Sequence, residues 1–263
     1  MMKSKLRVLA EVAAVFIYAI VLWRAARSVS DVAAGAFPHS DHLAFALIVA
    51  GGVMLALACL RRLSGGHPAS YQFRRAALLA SAAGFAGYTL VALITLGAAA
   101  LIGVVSLTFP QDSLDVVAGA AILLLLVLLS EALPEELLFR GWLSERLHGF
   151  GGPWFAVLGQ AGLFTLFAVA VGAVASANDV GFIAAFGVVL GMLRTVTGTV
   201  WVPVGFHLAF MAAQQSSTPK WGLMASDEPQ LVQVFLLTMI PFTLIIAVLF
   251  DRVKGVPRTT TLA

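Results

Sequence analysis

Chemistry-bearing residues cluster in one stretch. Between Ser130 and Gly141 the chain reads Ser-Glu-Ala-Leu-Pro-Glu-Glu-Leu-Leu-Phe-Arg-Gly, and residues 116–129 before it carry no charge. Each charge at the centre of a bilayer helix costs roughly 2.5–3.5 kcal/mol. Several left unpaired would cost on the order of 10 kcal/mol, as much as the whole stability of a domain. Glu131, Glu135, Glu136 and Arg140 must therefore pair, face a wet cavity or lie at the membrane edge. Glu136 and Arg140 are four apart and share a helical face, acid first, the favourable order. With Glu136 neutralised by Arg140, Glu135 has no assigned partner. A carboxylate withdrawn from water is the state in which Glu serves as acid or base near neutral pH. The competing reading is a charged cap where a membrane helix meets the cytoplasm. Pro134 suits the first position of a helix, which would put Glu135 and Glu136 in a first turn favoured by the helix dipole.

The second polar element is His207, in Trp201-Val202-Pro203-Val204-Gly205-Phe206-His207. It alone of the five histidines falls inside an apolar span; His39, His42, His67 and His148 fall in loops. An imidazole there can donate to an oxyanion, act as acid or base, or bind metal. There is no HExxH pair and no second histidine at ligand spacing, which argues against a zinc site built from histidines. Gln160 and Asn178 read as helix–helix hydrogen-bonding residues.

These residues sit in a chain that is 60% hydrophobic and 11% charged, with mean hydropathy +0.98. Soluble domains are nearer 25% charged. The fold class is therefore all-α and polytopic, because apolar runs near 20 residues suit helices rather than barrel strands. The pI of about 9.4 does not point to nucleic acid; a basic excess in a membrane protein marks its cytoplasmic side. Cys59 is the only cysteine, so no intrachain disulfide forms.

Eight spans are predicted, at 8–23, 43–60, 76–107, 116–133, 154–175, 180–193, 200–213 and 231–250, within a single membrane-embedded domain over 1–263. The third is too long for one upright helix, so it tilts or its Gly-bearing end forms a loop. A cleaved signal peptide ending near Ala34-Gly35-Ala36 is the rival for the first span, disfavoured by Arg24 and Arg27. This count places thirteen basic residues on one side and only Arg24, Arg27 and Lys220 on the other. The positive-inside rule then puts both termini in the cytoplasm, with the protein in the inner (plasma) membrane. The tryptophans fall near span ends, as interfacial anchors do. Glu135, Glu136 and Arg140 come at the cytoplasmic end of the fourth span, within reach of water. The two short spans, 180–193 and 200–213, are those expected to line a cavity.

Glu135-Glu136-Leu137-Leu138-Phe139-Arg140-Gly141, with Thr197-Gly198-Thr199-Val200-Trp201 leading to His207, resembles the CAAX protease and bacteriocin-processing family of intramembrane endopeptidases over about residues 115–215. In that family a first Glu and a middle His activate water, while a last His and an Asn hold the oxyanion. The resemblance implies Glu135 as base, Glu136–Arg140 as the pair that holds it, and His207 as oxyanion donor. It leaves a divalent metal open. Two positions depart from the pattern. The middle histidine falls at Ala168 or Val171, and the asparagine at Met211. Three function classes follow. The first is an endopeptidase acting on a membrane-embedded or lipid-anchored peptide. The second is a pseudo-protease that binds a peptide or partner membrane protein without cutting it. A small transporter is the third and weakest, since no duplicated halves are visible.

Overall fold

The computed structural model describes residues 2–64, 73–110 and 112–256. His67 and its loop, Gln111 and Arg258 lie outside that set. The described residues form eight helices: α1 Met2–Ala33, α2 Ser40–Ser64, α3 Arg75–Leu101, α4 Ser113–Gly151, α5 Pro153–Ala170, α6 Ala177–Thr197, α7 Trp201–Ser216 and α8 Leu231–Lys254. A two-residue antiparallel ribbon, β1 Leu107–Thr108 with β2 Ala225–Ser226, ties two loops together. Seven helices are long and apolar enough to cross a membrane. The chain is an all-α, multi-pass membrane protein. The eighth helix, α7, has 16 residues and covers about 24 Å, short of the roughly 30 Å hydrocarbon core.

Local chemistry sets the ends of these helices. Gly103 turns the chain after α3 with φ 74, so the Gly-bearing end of the long third run is a loop. Ser176 opens α6 with a capping box, its hydroxyl accepting from the Asp179 N–H; Asn178 lies in that first turn. Gly198, left-handed at φ 69, closes α6 and donates its N–H to Arg194 O. That glycine makes the link to α7 only three residues long.

Two expectations are corrected. Pro134 does not begin a helix. The chain stays helical from Ser113 to Gly151, and Ala132 and Leu133 keep helical dihedrals. The helix accommodates the missing Pro134 N–H by widening. Leu128–Ala132 and Glu136–Leu143 are π-helical, and the Leu133 N–H reaches back to Leu128 O. Nor are four of the five tryptophans exposed at the protein surface. Trp23, Trp142, Trp201 and Trp221 are all buried. Trp23 meets Phe167 edge-on at 5.1 Å, and Trp221 stacks on His39 at 4.0 Å. Their aromatic area is used to join helices and loops inside the protein.

The tightest helix pair is α3 with α7, and glycine makes it so. A Cβ on Gly205 would run into the Ser81 carbonyl oxygen, and one on Gly84 into that of Val202. The backbones approach as small residues allow in membrane helices. On the other flank α5 and α6 are joined by Gln160, whose amide nitrogen donates to Val157 O at 2.9 Å and Gly187 O at 2.7 Å. Helix α8 carries a third π stretch, Leu231–Met239, just before Pro241. Proline removes one helical donor from the turn that holds the carbonyls of Leu236 and Leu237. Thr95 donates to the first at 2.7 Å and Tyr88 to the second at 2.9 Å, pinning α8 to α3.

Gly205→Ala is expected to destabilise the protein in detergent by roughly 1–3 kcal/mol, the usual cost of overpacking. Gly87→Ala on α3, where a Cβ meets nothing within 4 Å, is the control and should leave Tm unchanged or raise it. Equal thermal unfolding of the two variants would contradict the close crossing.

Candidate functional site

Helix α4 supplies the acids and α7 the imidazole. Glu136 and Arg140, one turn apart on α4, form an ion pair at 3.0 Å with both side chains fully buried. His207 reaches across from α7 and places Nδ1 2.9 Å from the same oxygen, Glu136 Oε1. Its other nitrogen, Nε2, lies 4.0 Å from Glu135 Oε2. All four residues singled out from sequence, Glu135, Glu136, Arg140 and His207, thus meet at one place.

The partners differ from those expected. Glu136 was assigned to Arg140 alone, but it also holds the histidine. An ionised carboxylate only accepts, so the Nδ1 facing it carries the proton. In the neutral ring Nε2 is then a bare lone pair directed at Glu135, an acceptor rather than an oxyanion donor. Only the imidazolium could donate from Nε2.

The surroundings are aromatic. The Arg140 guanidinium lies 4.3 Å from the Phe164 ring centroid, a cation–π contact strengthened by burial. Phe186 meets the His207 ring edge-on at 4.8 Å. Among the described residues, Arg140 Nε and Nη2 and Glu136 Oε2 have no hydrogen-bond partner. Ala168, at one of the two positions where the family pattern has histidine, is buried apolar packing, and Gln160 is committed to α6 and does not substitute for it.

Exposure runs in one direction along the site. Every residue from Glu136 to Leu143 is buried, and His207 is 1% exposed. Glu135 stands at 9%. One turn further, Glu131, Met211 and Gln215 are half-buried. The expectation that water reaches Glu136 and Arg140 from the cytoplasmic end of the span is therefore corrected: neighbouring side chains cover that end.

Sequence reasoning missed a second layer. Arg194 of α6, fully buried, donates from Nε to Arg140 O at 3.0 Å and pairs with Glu145 at 3.5 Å. Gln215 donates to Glu131 at 2.9 Å, and His42 bonds Ser130 at 3.0 Å. Arg194 had a signal, as the one cation in an apolar run, but it was read only as a charge on the cytoplasmic side. Asn178 is far along α6, in its capping turn. As for a metal, no group of three or more His, Cys, Asp or Glu among the described residues is placed to hold one. Glu136 is committed to Arg140 and His207, which leaves Glu135 and Nε2, fewer than the three protein ligands of a catalytic zinc. The donor set falls short of a catalytic zinc site.

Residues 117–213 match the family described as Type II CAAX prenyl endopeptidase Rce1-like. The match takes in α4 to α7 apart from their outer ends, and so contains Glu135, Glu136, Arg140 and His207. No curated protein and no solved structure matches the chain.

Arg140→Ala should cost about 3–5 kcal/mol, because it leaves Glu136 charged and buried. Glu135→Ala should cost far less. Adding Glu136→Gln to Arg140→Ala should recover part of the loss. Thermal unfolding of the three variants in detergent measures this, and equal Tm values for the two single variants would contradict it.

Proposed function

We propose that this Rce1-like protein is an intramembrane endopeptidase of the inner (plasma) membrane, a single domain that cuts membrane-embedded or lipid-anchored peptides. Its glutamate-based site sits in the cytoplasmic half of the bilayer. The observation that carries this reading is the pairing of Glu135 Oε2 with His207 Nε2 at 4.0 Å, while Glu136 fixes the other face of the ring.

The separation is too long for a direct hydrogen bond. A water oxygen about 2.8 Å from each atom fits between them at roughly a right angle. Two acceptors gripping one water is the geometry of general-base activation. Glu135 or Nε2 takes a proton as the water oxygen bonds to the peptide carbonyl carbon. The C–N bond then breaks, and the same proton passes to the leaving amine. Glu136 and Arg140 do not react; they hold the ring at the angle this requires. The protein is thus read with one imidazole on the water-activating side, a different assignment from the oxyanion role that the resemblance implied. The basic residues gathered at one side support cytoplasmic termini.

A peptide-binding pseudo-protease is the second reading, and Ala168 and Met211 favour it, since two groups of the family pattern are absent. The two readings separate in one experiment. Purified protein in detergent is incubated with a farnesylated CAAX-type peptide and with a library of membrane peptides, and products are read by mass spectrometry. Endopeptidase action predicts products from wild type and a fall of about 10²–10⁴-fold in Glu135→Gln and in His207→Ala. Identical product patterns from wild type and Glu135→Ala would end the reading. No product, with peptide retained by the Glu135→Gln protein in a pull-down, would establish the second.

A further inference from the structure

Resting on the endopeptidase reading, we propose that Gln215 supplies the amide that holds the peptide carbonyl, and that Glu131 positions it. Two polar rungs join α4 to α7. One is Glu135 with His207, and the other is Glu131 with Gln215, whose Nε2 donates to Glu131 Oε1 at 2.9 Å. Glu131 and Glu135 are one turn apart on α4. His207, Met211 and Gln215 follow one another by single turns on α7. The rungs are four residues, about 6 Å, apart on α4 and eight residues, about 12 Å, apart on α7, with Met211 between them.

Met211 offers a thioether, which cannot donate to an oxygen. Gln215 stands one turn beyond it with a side chain one methylene longer than asparagine. A carboxylate only accepts, so Glu131 fixes the nitrogen end of the amide toward α4. One N–H is used in that bond, and the amide carries a second. The neighbouring Gln214 differs. Its nitrogen donates to both Gln233 O and Thr238 Oγ1, so both of its N–H groups serve to join α7 to α8. Exposure agrees with the assignment. Glu131, Met211 and Gln215 are half-buried, whereas the His207 end is closed.

The test uses the full-length protein in detergent with two probes, a farnesylated CAAX-type peptide and its ketomethylene isostere, which keeps the carbonyl and cannot be hydrolysed. Gln215→Met preserves shape and removes the donor. It should lower kcat by about 10²–10³-fold, as loss of one oxyanion donor does, with KM within threefold and Tm near that of wild type. Met211→Asn in the Gln215→Met background should restore at least tenfold of that loss. Glu131→Ala should lower kcat less than Gln215→Met. Wild-type kcat in Gln215→Met, or no recovery in the double variant, overturns the proposal. If wild type cuts neither this peptide nor any other, the endopeptidase reading fails by itself. The carbonyl seat then stands on isostere binding measured by calorimetry, expected to weaken at least tenfold in Gln215→Met. Equal binding by the variant, or no binding by wild type, overturns it.

Discussion

A single carboxylate oxygen organises the protein. Glu136 Oε1 accepts from Arg140 Nη1 at 3.0 Å and faces His207 Nδ1 at 2.9 Å. All three side chains are shut away from solvent. Removing a lone carboxylate from water costs several kcal/mol even after relaxation. Two charge-assisted hydrogen bonds, each about twice as strong as a neutral one, offset that cost. Neither partner could be lost without exposing the cost of the other. The result is a bond between α4 and α7 that apolar packing could not specify. Lipid tails are as apolar as leucine, and hydrophobicity gives membrane helices little reason to choose one rotational setting over another. The shared oxygen chooses it.

The same constraint explains the irregular backbone of α4. Pro134 removes an N–H where the helix is surrounded by protein and lipid, and freed carbonyls in such a place must find donors. The π-helical stretches on either side redistribute the hydrogen bonds and re-aim the side chains that follow. Further along α4, Arg194 donates to Arg140 O, so the cation that holds Glu136 has its own backbone held from α6. Helix α8 repeats the solution at Pro241, with Tyr88 and Thr95 as the donors. In both helices proline and π geometry come together with a side chain from a neighbour, and in both the neighbour is fixed as a consequence.

Much of this was legible in the sequence. The hydropathy pattern gave the helical class, and the four-residue spacing of Glu136 and Arg140 gave the ion pair. The contrast between His207 and its apolar neighbours marked the imidazole. The rest was hidden for physical reasons. Glu135 and Glu136 are adjacent, so on a regular helix they point about 100° apart. Which one meets the Nδ1 face of the ring depends on the rotation of α4. That rotation is set by the π turns around Pro134, which the spacing rules for a regular helix do not contain. Reading Pro134 as a helix start followed from the commonest use of proline, and the burial around it overrode that use. Arg194 and Thr95 were hidden for another reason. The carbonyls they bond are main-chain groups, which every residue has and no sequence distinguishes.

The position of His207 is finally a question of backbone distance. The ring lies two residues beyond Gly205, at which α7 meets α3 with no room for a Cβ. A larger residue there would move the helix bodily, because close-packed interiors transmit displacement rather than absorb it. A shift of about 1 Å is enough to impair a site that works by positioning. The Glu136 contact at 2.9 Å has little slack, and the 4.0 Å gap to Glu135 would open or close with the same movement. The glycine contact on one side of α7 and the carboxylate on the other therefore act as opposing stops. Between them they fix the one coordinate on which the proposed chemistry depends, the distance from Nε2 to Glu135.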